Sequence, residues 1–174
     1  RPFSNAELYD WEFACADLAN QEPWWEPGIQ SGYHAITQGY LIGEVIRRIT
    51  GRTIGTYFRE EVAEKIGVDF HIGVPPSEFN RIADLIRALE IAPILQMDPD
   101  SITARVFAGE MTEGDLTDVT RTDGWRRAEI PAANGHGNAR SVVRAQTALA
   151  NSGRAFGVEL LSPSGARKAL EPQI

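Results

Sequence analysis

Three histidines, one cysteine and one aromatic-rich loop are the side chains in this 174-residue sequence best suited to chemistry. His34, His71 and His136 sit in separate segments, and none has a second ligand three or four residues away on a helical face. That spacing predicts no metal site, because a metal needs three or four donors converging on one point. Cys15 is the only thiol, so neither an internal disulfide nor a cysteine-based zinc module can form. With apolar neighbours on a predicted helix, it reads as a small buried hydrophobe. The sequence holds no G-x-S-x-G elbow, phosphate-binding loop, H-E-x-x-H pair or EF-hand loop. Gly135-His136-Gly137 begins like a dinucleotide fingerprint, but Arg140 stands where the third glycine is needed and no strand is predicted before it. No cofactor is expected. What remains is the loop and helix entrance Trp24-Trp25-Glu26-Pro27-Gly28, continuing through Tyr33-His34-Ala35-Ile36-Thr37 to Tyr40.

Composition narrows the partners. A net charge of −7 and a pI near 5.0 argue against nucleic acid, which needs a basic face. No window reaches the ~18 uninterrupted apolar residues of a membrane helix, so no membrane partner is expected. Of the 17 basic residues only Lys65 and Lys168 are lysine, which restricts any motif that requires one. The length fits one domain or a piece of a larger one.

The elements that must carry these residues are mainly helical. Ser4 with Glu7 forms a capping box that opens a helix running to about Asn20. After the Trp-Pro-Gly loop, Thr37 to Ile49 is a helix stopped by Gly51, and a second, begun by Thr53, ends at Gly67. The two form a hairpin. Val68 to Val74 reads as a short strand closed by Pro75-Pro76. Ile82 to Leu89 suggests a helix before Pro93, and Ile102 to Ala108 another, capped by Asp100 or Ser101. A helix over 139–150 is capped by Asn138, Val158 to Leu161 reads as a short strand, and Ser162-Pro163 opens the last helix. Six or seven helices with little sheet are predicted, without repeats.

The W-x-P-G run, the Tyr33-His34 pair and the Thr37-x-Gly39 helix start together resemble the serine β-lactamase and penicillin-binding-protein superfamily, most closely its family VIII carboxylesterases. The resemblance continues through 43–52, 69–75 and Pro131 to Ser141, and includes Leu160-Leu161-Ser162-Pro163. It covers nearly the whole chain and is thinnest from 75 to 130. It implies the helical part of an α+β fold, a helical region set against an antiparallel sheet. Such enzymes form an acyl-enzyme: the serine of an S-x-x-K motif attacks an ester or amide carbonyl while a lysine and a tyrosine handle its proton. A phenol of ordinary pKa ~10 serves as a base only where a cation stabilises or shares its proton. Tyr33 matches the family tyrosine and is the expected catalytic residue.

The sequence departs from the family pattern in two ways. No serine has a lysine three residues later; Ser164 and Lys168 are one residue too far apart. The downstream Lys/His-x-Gly motif is also missing, since His71-Ile72-Gly73 falls in an ordinary family segment. The chain is therefore expected to be a central portion of such an enzyme, a single segment spanning 1–174, inactive alone. Second, penicillin-recognising members commonly read Tyr-x-Asn, and here Ala35 replaces the amide. That favours an esterase on short-chain esters over a class C β-lactamase or penicillin-recognising peptidase. A non-catalytic helical interaction module is the alternative from another class. Substrate-contacting candidates are His34, Trp25, Asn134, Gly135 and His136. Each also has a structural reading: Trp24 and Trp25 as loop packing, His34 as a loop histidine, Asn134 to Asn138 as a turn and helix cap. The partner expected is a small-molecule ester or β-lactam, and the family's esterases imply a cytoplasmic setting.

Overall fold

The computed structural model describes residues 3–86, 98, 100–110 and 115–172. Ser4 accepts from the Glu7 amide at 3.3 Å while the Glu7 carboxylate accepts from the Ser4 amide at 2.8 Å, closing the capping box of α1 (Asn5–Tyr9). The predicted single helix to Asn20 is divided. Asp10 leaves helical geometry, ends α1 and caps α2 (Trp11–Ala19), its carboxylate accepting from the Phe13 amide at 3.0 Å. A side chain that can cap competes with the backbone for its own hydrogen bonds, so an aspartate inside an apolar-periodic run breaks it.

α3 (Thr37–Thr50) is the central helix and ends at Gly51 in the left-handed region, φ 71°. Its buried face carries Tyr40, fully enclosed, whose hydroxyl donates to the Leu8 carbonyl at 2.5 Å. Burial pushes the Tyr40 phenol well above its ordinary pKa, so it stays a neutral donor. The rings of Tyr40 and Trp11 lie 5.2 Å apart and tilted by 51°. α2 and α3 meet closely because Gly43 has no side chain; a Cβ there would lie 2.4 Å from the Trp11 indole. Phe3, Leu8, Ala14, Ile36, Val119, Trp125 and Ile130 complete this core.

The second helix of the hairpin starts as α4 (Ile54–Phe58), capped by Thr53, widens into a π-helical turn at Arg59–Ala63 and closes as α5 (Glu64–Ile66), with Gly67 as its left-handed stop. Glu129 reaches the start of α4 from far along the chain, accepting from the Gly55 amide at 2.8 Å and from the Thr53 hydroxyl at 2.7 Å. A carboxylate there complements the positive end of the helix. β1 (Phe70–Ile72) follows, then a 3₁₀ turn over Pro76–Arg81. Residues 82–86 are not helical: Ile82 is extended at ψ 121°, and Leu85 and Ile86 face solvent. Among the described residues Leu85 and Ile86 find no apolar cover, and an uncovered apolar stripe does not repay helix nucleation. Leu89 and Pro93 of that expectation lie outside the described residues.

α6 (Ile102–Glu110) is capped by Ser101, which accepts from the Ala104 amide. α7 (Leu116–Val119) and α8 (Asp123–Arg127) are capped by Asp115 and Thr122. β2 (Gly135–Gly137) pairs antiparallel with β1, placing His71 opposite His136, where a turn was expected. α9 (Ala139–Ala150) is capped by Asn138 as predicted. β3 (Arg154–Ala155) and β4 (Val158–Glu159) form a small hairpin, and α10 (Pro163–Ala169) begins at the Ser162 cap. The described residues are mainly helical, with two two-stranded ribbons among them. Among the described residues no helix is long and apolar enough to cross a membrane.

Candidate active site

The loop between α2 and α3 folds back on itself through Trp25. Its indole N–H donates to the Gln30 carbonyl at 3.3 Å, and its six-membered ring lies directly over Gly32. The residue after Gly32 is Tyr33, which is thereby carried out of the loop at the entrance of α3, with 66% of its surface exposed. His34 follows, and its Nδ1 lies 3.0 Å from the Thr37 hydroxyl in the first turn of α3. α3 itself begins without a side-chain cap at Ile36.

These side chains line one cleft of about 380 Å³. Its walls are mostly apolar: Phe3, Leu18, Leu41 and Val106 beneath Trp24 and Trp25, with Tyr33, His34 and Thr37 at the α3 entrance. A largely apolar cleft with a few convergent polar groups suits a small organic substrate presenting one reacting polar bond. Tyr33 supplies a hydroxyl that can pass a proton, and His34 a second titratable nitrogen tied to the helix. Among the described residues no group of three or more histidine, cysteine or acidic side chains is gathered to hold a metal.

The cleft unites Tyr33, His34, Trp24 and Trp25, but Asn134, Gly135 and His136 are not in its lining. Asn134 is buried beside α8: its Oδ1 accepts from the Ile130 amide at 2.9 Å and its Nδ2 donates to the carbonyls of Trp125, at 2.9 Å, and Ala128, at 2.6 Å. Both ends of the amide are thus committed to the backbone. Gly135 and Gly137 lie against the Phe70 ring, where any Cβ would come within 2.5 Å of it. His136 is half-buried, and burial lowers its pKa. Neither lysine offers itself as the cation for Tyr33 in this segment's lining: Lys65 pairs with Glu61, and Lys168 sits exposed on α10.

Two charged residues of the cleft, Glu22 and Arg105, had no signal in the sequence. Arg105 projects from α6, and its guanidinium stacks over the Trp24 ring at 4.0 Å. Only the contact across the fold reveals it, since an arginine on a helix is ordinarily a solvated residue.

Comparison with known proteins gives a consistent result. The family model described as Beta-lactamase matches residues 1–170. The esterase/beta-lactamase LipL of Mycobacterium tuberculosis is 35% identical over 140 residues, 76% of this chain and 33% of the relative. A penicillin-binding protein homolog from Caulobacter crescentus superposes with a TM-score of 0.83 at 37% identity, over all of this chain and 45% of that one. A family VIII carboxylesterase does so with a TM-score of 0.81 at 36% identity, over 96% of this chain and 43% of its own. The chain spans about a third of the curated relative and under half of these structures.

Proposed function

Because the chain belongs to the beta-lactamase family, we propose that it is the tyrosine-bearing portion of a serine hydrolase that cleaves short-chain carboxylic esters. The observation that carries the reading is Tyr33: it stands at the entrance of α3, in one apolar cleft with Trp24, Trp25 and His34. The names of the relatives, an esterase/beta-lactamase and a family VIII carboxylesterase, support the same chemistry.

In this reading the nucleophilic serine and its lysine come from sequence beyond residues 1–174, because no S-x-x-K occurs within them. Tyr33 Oη, its proton shared with that lysine, accepts the serine proton as Oγ attacks the ester carbonyl. The tetrahedral intermediate collapses, the alcohol leaves with the proton returned through Tyr33, and water then releases the acid from the acyl-serine. Trp24 and Trp25 hold the acyl or alcohol group against the apolar wall, which fixes the carbonyl near Tyr33. Ala35 brings no hydrogen bond toward a lactam side-chain amide, so discrimination for penicillins over simple esters is weak. The segment alone, without the nucleophile, does not turn over.

The test is ester hydrolysis by the full-length protein that carries this chain, with Tyr33→Phe beside it. We expect p-nitrophenyl butyrate to be cleaved and the variant to lose roughly 10²–10⁴ of kcat with its fold intact. A folded full-length protein that neither hydrolyses the ester nor is labelled by a fluorophosphonate would exclude the hydrolase and leave a binding role for the scaffold.

A further inference from the structure

We infer that Arg105 makes the cleft selective for substrates carrying a carboxylate beyond the scissile ester, such as half-esters of dicarboxylic acids. The assignment rests on this cleft being the hydrolase's substrate site. Arg105 stacks on Trp24 at 4.0 Å and lines the same cavity as Tyr33 and His34. Among the described residues no Asp or Glu forms an ion pair with it, although the cleft also contains Glu22. Arginines elsewhere in the fold behave otherwise: Arg47, Arg52, Arg81, Arg121, Arg126 and Arg154 pair with carboxylates.

A guanidinium resting over an indole has less freedom left to lose when an anion binds than one extended into solvent. It presents a fork of N–H donors that a carboxylate can meet with two parallel hydrogen bonds. Arg105 is exposed, so the pairing is open to solvent and should weaken as salt is added. The substrate that fits has an ester at the Tyr33 end, a short apolar spacer across the Trp24 wall, and an anionic end at Arg105. A purely hydrocarbon acyl chain leaves the cation without a partner.

The test compares the full-length protein carrying this chain with its Arg105→Gln variant on two alkyl esters of equal acyl length, methyl butyrate and monomethyl succinate, followed by acid release; an aryl succinate is avoided because its own carboxylate would expel the phenol. We expect the ratio of kcat/KM for the succinate half-ester to that for butyrate to fall about 10-fold or more, the size of one lost charge-assisted bond. Arg105→Lys, which keeps the charge without the guanidinium fork, should lie between. Equal losses on both esters would overturn the assignment and leave Arg105 as a prop for Trp24. A second measurement needs no turnover: tryptophan fluorescence titration with phenylacetate and its neutral isostere phenylacetamide. A preference for the anion that disappears in Arg105→Gln sustains the role even if no ester is cleaved, in which case only the hydrolase reading falls. Equal affinity for the two probes in the unaltered protein overturns it.

Discussion

Gly32 lies so close beneath the Trp25 indole that a methyl group at its position would sit 2.5 Å from the ring's Cη2. The pair sets the shape of the loop that delivers Tyr33 to the cleft, since the indole N–H is fixed at its other end to the Gln30 carbonyl. Gly32→Ala must therefore displace the ring, because that distance is far inside van der Waals contact. The loop is exposed, so global stability should fall by under about 1 kcal/mol. The local effect should be larger: a changed tryptophan emission spectrum, and a KM for short esters raised roughly 10-fold in the full-length protein. An unchanged spectrum with unchanged KM would show that Trp25 does not shape the site.

Glu44 gathers three donors on the α2-facing side of α3, its side chain only 13% exposed: the Trp11 indole at 3.0 Å, Arg47 at 2.7 Å and Arg48 at 2.8 Å. These bonds, Arg47 first and then Trp11 and Arg48, hold its carboxyl down to about 2. The same carboxylate, with burial as the larger cause, pushes the Cys15 thiol up to about 11, so that thiol should react slowly with alkylating reagents. A depressed carboxyl contributes stability that is complete above its unfolded value of about 4.3 and is lost as pH falls from there toward about 2. Glu44→Gln should cost about 1–2 kcal/mol at neutral pH, measured by denaturant unfolding, and the cost should disappear near pH 2. A pH-independent difference between the two proteins would refute the linkage.

Much of this architecture is legible in the residues, and the exceptions have identifiable causes. The boundaries of α3, α9 and α10 follow from local chemistry: Gly51 at a left-handed stop, Asn138 and Ser162 as caps. Local rules of that kind need no tertiary information. The strand at Gly135–Gly137 is different, because two glycines around a histidine carry no strand propensity. It exists because Phe70 on β1 needs side-chain-free neighbours across the ribbon. Residues 82–86 failed in the opposite sense: among the described residues their Leu85 and Ile86 side chains stand exposed. At the cleft, the Trp24-to-Thr37 stretch is contiguous in sequence and so could be recognised together. Arg105 enters from about 70 residues away, and no spacing announces it.

Asn134 offers a direct contrast between a binding and a structural amide. Its three hydrogen bonds tie the backbone of 125–130 into one turn under the core, and it is 2% exposed. Replacing it with alanine strands one buried amide and two carbonyls, which should cost about 2–4 kcal/mol. Thermal unfolding of Asn134→Ala checks this, alongside ester kinetics of the full-length protein measured below its transition. Ester KM should stay within about twofold of the parent if the amide serves only the fold. A variant with unchanged stability and a raised KM would return Asn134 to the substrate site.

His136 should make the protein acid-sensitive in a window separate from that of Glu44. Its ring is half-buried on β2, with Nδ1 enclosed and unpaired, and it faces His71 on β1 and Arg126 on α8. Burial lowers its pKa first, opposed by a backbone hydrogen bond at Asn134, with Arg126 and His71 adding repulsion toward a charged imidazole. Asp69, which precedes β1, is occupied by Arg81 and lies 3.3 Å from the His71 ring; Glu78 is likewise paired with Arg81, and Glu129 is committed to Thr53 and Gly55. A histidine whose folded pKa lies below its unfolded value of about 6.5 binds protons more readily when unfolded. Stability is then full above about pH 6.5 and declines as pH falls below it toward the lower folded value. The Tm should therefore drop as pH falls below about 6.5, above the range in which Glu44 titrates, and His136→Gln should flatten that part of the curve. If the variant keeps the full slope, the proton uptake belongs to another group and the His71–His136 ribbon is not the acid-sensitive element.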